Sequence, residues 1–294
     1  MLLRQICGSN RLAVVKNLET NQGVSMELKF VPKSRSHLSV AFLSFTLSLS
    51  AFNDSHAAFA LIDNFDSYTQ GTGLNGQGDW TTPSSFEVGA DPTSGSNNVL
   101  QANTIFGPSQ YGSNDAAAFS IADGTTGTIF FRFRMPVASG VNTSVGGGLT
   151  SNPSTFGDFR PQYRIDGTLD PRDGGSFLTG PSLEADVWYD AWLVVDNNLN
   201  QSEFYIQGGD FTSQTQVDVG GQTDFAFRST QGTDGDIQAF YIVKSDTSIG
   251  DFFLDDLYLD TLGVNLANPV PEPTTSVLLF AGCAVLFIRR SKRS

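Results

Sequence analysis

The side chains that could act in catalysis or metal binding are unevenly distributed along this 294-residue chain. Residues 61–270 hold 26 of the 30 acidic residues, but neither histidine (His37, His56) and neither cysteine (Cys7, Cys283). Without an imidazole or a thiol, this region has no histidine-based triad, no cysteine nucleophile, no His or Cys metal site and no disulfide. Its chemistry is limited to carboxylates, hydroxyls, arginines and aromatic rings.

Aspartate accounts for 23 of those 26 acidic residues, and the three glutamates are Glu87, Glu184 and Glu203. Aspartate is common in the turns of all-β proteins, which explains most of these side chains structurally. The alternative is that one or two aspartate clusters bind a divalent cation. With seven Lys and Arg residues, residues 61–270 carry a net charge of −19, which repels phosphate groups and anionic lipids. We therefore predict no nucleic-acid partner.

Three tryptophans are the candidate ligand-binding side chains, because aromatic rings stack against the apolar faces of sugars. Trp188 and Trp192 fall on one face of a predicted strand, and Trp80 lies in a glycine-rich segment. Packing in the core is the alternative use of these rings, and it is the commoner use for Trp188 and Trp192. The sequence leaves both uses open.

The elements that must position these side chains are β-strands. Short runs rich in Phe, Val, Ile and Tyr recur between clusters of Gly, Asn, Asp, Ser and Thr, and no helical period is evident. Residues 187–196 are apolar on one face and half apolar on the other, which indicates a central strand covered on both sides. Residues 197–200 then predict a hairpin turn into a strand at 201–207. Further strands are predicted at 128–135, 237–244 and 251–260. Strands at this spacing predict an all-β sandwich or jelly roll over residues 61–263.

Four segments of this region carry recognisable motifs: 62–68 (IDNFDSY), 76–80 (GQGDW), 188–209 (WYDAWLVVDN running into YIQGG) and 254–260 (LDDLYLD). Together they resemble the LamG-like, concanavalin A-like jelly rolls of exported bacterial proteins. The resemblance implies a concanavalin A-like jelly-roll sandwich. Jelly rolls of this class host lectins, carbohydrate-binding modules, glucanases and lyases, so the fold alone does not select a function.

The same resemblance provides a test for enzymatic activity. Glucanases of this fold carry Glu-x-Asp-x-x-Glu on one strand, which directs the nucleophile and the general acid into one cleft. Here Glu184 and Asp186 match, but Tyr189 occupies the position of the second glutamate. Lyases of this fold use a constellation of His, Tyr and Arg, and residues 61–270 lack histidine. We therefore predict a non-catalytic domain; the alternative is a glucanase- or lyase-like enzyme that uses two aspartates from different strands.

Aspartates near both ends of the domain form the candidate metal site. The first and last strands of a jelly roll often pair, which would bring Asp63 and Asp66 near Asp255, Asp256 and Asp260. The resemblance implies a structural Ca²⁺ at these side chains, because such ions are common in similar carbohydrate-binding jelly rolls. No other cofactor is predicted. Strict alternation along the last strand would turn Asp256 and Asp260 one way and Asp255 the other.

The N-terminus has the pattern of a secretion signal that starts at Met26. Lys29, Lys33 and Arg35 form a positive segment, residues 38–52 (LSVAFLSFTLSLSAF) are apolar, and small residues suitable for signal peptidase follow. We predict residues 26–60 as a signal peptide and residues 1–25 as a spurious extension.

The C-terminus carries a second targeting pattern within residues 264–294. Pro271-Glu272-Pro273 precedes an apolar segment at 274–288 and a basic tail at 289–293 that begins with Arg289 and Arg290. As a helix the apolar segment spans about 22 Å, short of the roughly 30 Å hydrocarbon core of a bilayer. This order of features resembles the PEP-CTERM sorting signal, which implies recognition by an exosortase-type membrane peptidase and removal of the tail. An unprocessed single-pass anchor is the alternative.

These patterns predict an exported, transiently membrane-anchored protein of the cell surface or extracellular matrix. Its predicted partners are signal peptidase, an exosortase-type peptidase and an extracellular polysaccharide.

Overall fold

The computed structural model describes the backbone of residues 12–20 and 23–31, and residues 59–228, 235–246 and 248–270 in full. The apolar segments predicted for the signal peptide (38–52) and the sorting helix (274–288) lie outside the described residues, so both stay predictions. The chain divides into two units, residues 1–53 and 54–294. Within the described residues, no helix is long and apolar enough to cross a bilayer.

The described residues of the first unit form an antiparallel hairpin. Its strands are β1 (Leu12–Thr20) and β2 (Gly23–Val31), and their register pairs Asn17 with Met26. The predicted translation start therefore falls inside β2.

Sixteen strands lie in the described part of the second unit. They are β3 (Ala60–Asp63), β4 (Trp80–Thr81), β5 (Phe86–Asp91), β6 (Ser94–Ala102), β7 (Gln110–Asn114), β8 (Thr126–Arg134), β9 (Thr143–Gly148), β10 (Phe159–Ile165), β11 (Leu169–Asp173), β12 (Ser176–Phe177), β13 (Trp188–Asp196), β14 (Gln201–Gly208), β15 (Phe211–Gln216), β16 (Phe225–Ala226), β17 (Ala239–Lys244) and β18 (Phe252–Asp260). The helical content of the same residues is one 3₁₀ turn at Phe156–Asp158.

These strands form two antiparallel sheets. The larger sheet has the order β15-β14-β13-β8-β18-β6-β5, with β16 paired to β14 and β3 paired to β18. The smaller sheet has the order β12-β11-β10-β9-β17-β7-β4. Rings from the two sheets meet between them: Phe131 lies 5.4 Å from Phe240, and Tyr163 lies 4.7 Å from Phe204, measured between ring centroids. The protein is an all-β jelly-roll sandwich, which confirms the predicted fold class.

Alternation along the central strands agrees with the sequence prediction. Phe131 and Phe133 of β8 and Leu193 of β13 are completely buried in the core between the sheets. Strand β13 lies between β8 and β14, and six of its nine residues are buried. Trp192 and Val194 face outward but are also buried, so the strand is covered on both faces. The four-residue turn after Asp196 forms the predicted hairpin, which pairs Asp196 with Gln201.

The first and last strands of the sandwich pair as predicted, with Asp63 of β3 opposite Leu257 of β18. The predicted alternation along β18 is wrong, however, because a β-bulge interrupts the strand at Asp256. The register against β8 shifts between Asp255 and Tyr258, and Asp256 has a positive φ of 52°. An extra residue reverses the alternation beyond it, so Leu254 and Leu257 both enter the core.

After β18, the chain continues across the outer face of the larger sheet. We call residues 261–270 the C-terminal strap. The Trp192 Nε1–H donates a hydrogen bond to the carbonyl of Ala267 (2.8 Å), and the Asn268 amide donates one to Asp190 Oδ2 (2.9 Å). The contacts of the sandwich therefore extend beyond residue 263.

Candidate functional site

A polar cluster lies on the outer face of the larger sheet, opposite the core. Three adjacent strands provide its centre: β8 contributes Arg132, β13 contributes Trp188 and Asp190, and β18 contributes Asp255 and Asp256. Alternation explains the positions on β8 and β13, because Phe133 and Tyr189 between them point into the core. The antiparallel register places Asp190 and Asp255 on either side of Arg132.

Arg132 holds the cluster together. Its Nε lies 3.1 Å from Asp190 Oδ1 and its Nη1 lies 3.4 Å from Asp256 Oδ2. Its guanidinium carbon lies over the Trp188 ring, 5.3 Å from the ring centroid. The side chains of Arg132, Asp190 and Asp256 are 28%, 23% and 15% exposed, so water and a ligand can reach them. The arrangement combines an aromatic ring with charged groups whose positions are fixed by ion pairs.

The hairpin of β5 and β6 completes the cluster from the side. The Trp188 Nε1–H donates to Asp91 Oδ1 (3.2 Å), and the Asn97 amide donates to Asp255 Oδ2 (2.8 Å). Burial alone would raise the pKa of Asp91, but hydrogen bonds from Thr93 and then from Trp188 outweigh it and lower the pKa. Asp91 therefore stays ionised as an acceptor at the edge of the indole ring.

Asp255 and Asp256 have a different electrostatic environment. Burial, reinforced by the charge of Asp256, raises the pKa of Asp255 to about 7. Burial also raises the pKa of Asp256, although the charge of Arg132 opposes this rise. The Asp255 carboxyl group therefore gains or loses its proton near neutral pH, so the net charge of the cluster changes with pH.

Among the three predicted tryptophans, Trp188 is partly exposed, whereas Trp80 and Trp192 are each 1% exposed. The Trp80 Nε1–H donates to Asp63 Oδ2 (2.8 Å), and the Trp192 ring packs edge-on against Phe130 at 5.2 Å. Packing in the core therefore explains Trp80, whereas the outward-facing Trp192 is buried beneath the C-terminal strap. Trp188 is the partly exposed ring of the three.

The four predicted metal ligands lie in separate hydrogen-bond networks. Asp63 accepts hydrogen bonds from the Phe65 N–H (2.8 Å), the Tyr68 hydroxyl (2.6 Å) and Trp80. Asp260 accepts from the Leu262 N–H (2.9 Å) and the Asn265 amide (2.7 Å). Asp256 pairs with Arg132, and Asp66 is exposed and accepts from Asn64 (3.0 Å). Within the described part of the chain, no three His, Cys, Asp or Glu side chains form a group that could hold a metal ion.

The broken glucanase motif does not face a common cleft. Tyr189 is completely buried, and its hydroxyl oxygen accepts a hydrogen bond from the Glu184 N–H (2.7 Å). Asp186 is exposed, and it pairs with Arg134 Nη2 at 2.7 Å. The motif therefore contributes to the structure at the start of β13.

Sequence reasoning missed the residues that surround Trp188, namely Asp91, Asn97, Arg132, Asp190 and Asp255. Alternation along two correctly predicted strands placed Arg132 and Asp190 at outward positions, and this pattern could have identified them as surface charges. Their contact depends on the pairing of β8 with β13, which are more than fifty residues apart and whose register local patterns do not specify.

Comparisons with known proteins assign the chain to no family. No family model matches the sequence, and no curated protein matches it. Among solved structures, the chain is similar to a sialidase (12% identity, TM-score 0.47), with 69% of this chain covering 18% of that one. It is also similar to the catalytic domain of a glycoside hydrolase family 131 protein from Coprinopsis cinerea (10% identity, TM-score 0.47, covering 74% and 99% of the two chains). Lectin II from Ulex europaeus shows 9% identity and a TM-score of 0.45, covering 67% and 97%.

Proposed function

We propose that the sandwich is a non-catalytic glycan-binding domain of an exported surface or matrix protein, and that it binds sugar at the polar cluster around Trp188. The observation that carries this proposal is the partly exposed Trp188 ring with Arg132 and Asp91 beside it. An indole ring offers an apolar platform to a sugar face, while charged side chains at its edge bind the hydroxyl groups that fix orientation. Asp190, 23% exposed, provides a further acceptor next to Arg132.

A glycan array with the full chain tests this proposal. The Trp188→Ala variant should lose at least tenfold in affinity for every glycan that the wild type binds, because the stacking surface is removed. Phe106→Ala is the matched control, since Phe106 is an 86% exposed ring in the loop between β6 and β7. Binding that survives in Trp188→Ala, or is lost equally in Phe106→Ala, would place the ligand elsewhere.

Export and sorting rest on the sequence. The Pro271-Glu272-Pro273 segment, the apolar residues after it and the basic tail support processing by an exosortase-type peptidase. Removal of the residues after Pro273 would leave every described contact of the C-terminal strap intact, since the strap ends at residue 270. Intact-mass analysis of surface-extracted protein should give a C-terminus near Pro273. A mature species that retains Cys283 and Arg290 contradicts this part of the proposal.

An enzymatic function is the second candidate, and the raised pKa of Asp255 favours it. A general acid must hold a proton near the working pH, and a carboxyl group with a pKa of about 7 does so. Against this role, Asp255 is only 2% exposed, and its oxygens accept hydrogen bonds from Asn97 and from the Asp256 N–H. If the protein released reducing ends or unsaturated sugars from polysaccharides, and Asp255→Asn abolished this release, the domain would be an enzyme and the non-catalytic proposal would be wrong.

A further inference from the structure

Most basic side chains of the sandwich lie on the side opposite the polar cluster around Trp188. Residues 61–270 contain seven Lys and Arg residues, and five of them lie at the smaller sheet. One is the buried Lys244 at the end of β17, and the other four are arginines. Arg160 and Arg164 belong to β10, Arg172 belongs to β11, and Arg228 follows β16. In a region with a net charge of −19, such a concentration of guanidinium groups is a distinct electrostatic feature.

Register and hydrogen bonding place Arg164, Arg172 and Arg228 on the outer face of the smaller sheet. Tyr163 points into the core, and its cross-strand partner is Pro171, so Arg172 one residue further points outward. Arg172 pairs with Phe177 on the edge strand β12, and its guanidinium carbon lies 5.0 Å from the Phe177 ring centroid. Arg228 reaches the same face, because its Nη1 donates to Gln162 Oε1 at 2.7 Å.

Two of these arginines have only neutral partners. Arg164 is neutralised by Asp170, whose Oδ2 lies 3.1 Å from Nε. Within the described residues, neither Arg172 nor Arg228 forms an ion pair. Arg172 instead donates to the carbonyls of the two glycines after Asp173 (3.1 and 2.7 Å). A guanidinium has five N–H donors, so each of these side chains keeps donors for a further acceptor.

The two guanidinium groups also influence each other. Gln162, which accepts the Arg228 hydrogen bond, precedes Tyr163 on β10. Arg172 follows Pro171, the cross-strand partner of Tyr163 on β11, so the two arginines reach neighbouring positions of the sheet. Burial lowers the pKa of Arg228, and the positive charge of Arg172 lowers it further.

Among the described residues, two carboxylates on this side of the sandwich accept hydrogen bonds from backbone N–H groups. Asp158 Oδ2 accepts the N–H groups of residues 154 and 155 (2.7 and 2.9 Å), and Asp173 Oδ1 accepts the Ala226 N–H (2.9 Å). Two adjacent, partly buried cations with free donors are an arrangement that an anion would stabilise.

We propose that Arg172 and Arg228 bind the carboxylate of an acidic sugar residue, such as a uronic acid, within a largely neutral glycan. A carboxylate matches the planar donor fork of a guanidinium. Phe177 lies under Arg164 and Arg172, and Phe156 lies 5.5 Å from the Arg228 guanidinium carbon. Both rings are partly exposed, and their exposed edges provide apolar contacts for neighbouring sugars.

Charge balance favours one carboxylate over a polyanion. Two guanidinium groups are sufficient to neutralise one ligand carboxylate. The net charge of −19 on residues 61–270 repels a ligand that carries an anionic group on every sugar residue. Screening at physiological ionic strength confines electrostatic attraction to about 8 Å, so the two arginines act on the sugar residue they contact. This site is independent of the Trp188 surface, and either proposal can fail without the other.

Calorimetric titration of the full chain with three matched trisaccharides tests the site. The first has glucuronic acid between two glucose residues, the second has glucose at that place, and the third has a glucose sulfate ester there. The glucuronic acid trisaccharide should bind about tenfold or more tightly than the neutral one. The double variant Arg172→Gln/Arg228→Gln should lose this preference. Arg134→Gln, which removes one positive charge from the larger sheet, should keep it.

Three outcomes would overturn the proposal. They are equal binding of the charged and neutral trisaccharides, an unchanged preference in the double variant, and equal binding of the sulfate ester and the carboxylate. If the double glutamine variant does not fold, Arg172→Lys/Arg228→Lys replaces it. That variant keeps both charges but loses the planar forks, so it should reduce the preference for the carboxylate. A polygalacturonate chain should bind no better than the glucuronic acid trisaccharide, and much tighter binding would contradict the single-carboxylate assignment.

Discussion

Replacing Asp255 with asparagine should change how the stability of the sandwich depends on pH. Asp255 is 2% exposed, and burial together with the charge of Asp256 raises its pKa to about 7. Asparagine has nearly the same size and stays neutral at every pH. The Asp255→Asn variant therefore removes the titration and retains an acceptor for the neighbouring donors.

The sign and size of the effect follow from proton linkage. In the unfolded chain an aspartate has a pKa of about 3.9, so between about pH 4 and pH 7 the folded state binds the proton more tightly. Stability from this group is complete below pH 4 and is lost as the pH rises through 7. A difference of about three pKa units corresponds to about 4 kcal/mol in total, of which about 2–3 kcal/mol falls between pH 5 and pH 8.

Urea unfolding at pH 5 and pH 8 measures this difference. The wild type should lose about 2–3 kcal/mol more than Asp255→Asn between the two pH values. Asp260→Asn is the control, because it makes the same substitution in a buried position of the same strand and should leave the wild-type pH dependence of Asp255 in place. An Asp255→Asn variant with the full wild-type pH dependence would refute the assignment of the proton to this carboxyl group.

Three further predictions concern the core, a buried lysine and metal removal. Leu193→Ala should lower the free energy of unfolding by about 2–5 kcal/mol, since the side chain is completely buried, and a loss below about 1 kcal/mol in urea melts would contradict its place in the core. Lys244 is completely buried and its pKa is lowered to about 8 by burial, so wild-type stability should rise from pH 8 to about pH 10. Lys244→Met should abolish that rise, and a rise of unchanged size in the variant would assign it to another group. EDTA should leave the melting temperature unchanged, because Asp63 and Asp260 accept hydrogen bonds from protein donors; a fall of more than about 4 °C would support the Ca²⁺ site predicted from the sequence.

Local patterns predicted the parts of the fold that depend on alternation and turns. The apolar face of β8 and the hairpin after Asp196 follow from residues close together in the chain. The pairing of β3 with β18 followed from the fold class. The bulge at Asp256 escaped prediction, because aspartate tolerates a positive φ and also fits a regular strand position.

The candidate site was predicted less completely, since it depends on contacts between distant strands. Trp188 was identified from its residue type alone. Its neighbours Arg132 and Asp91 come from strands far away in sequence, and only the sheet order brings them to the ring. The burial of Trp80 depends on Asp63, which accepts the indole N–H, a contact that its residue type did not predict; its role as a metal ligand stays a prediction.

Fluorine NMR of the protein labelled with 5-fluorotryptophan tests the proposed binding surface most directly. The whole chain has three tryptophans, so three resonances are expected, and Trp188 is the partly exposed one. Titration with a glycan that binds on the array should shift the resonance that is missing in Trp188→Phe, while those of Trp80 and Trp192 stay in place. A bound glycan that leaves the Trp188 resonance unmoved would contradict binding at this face.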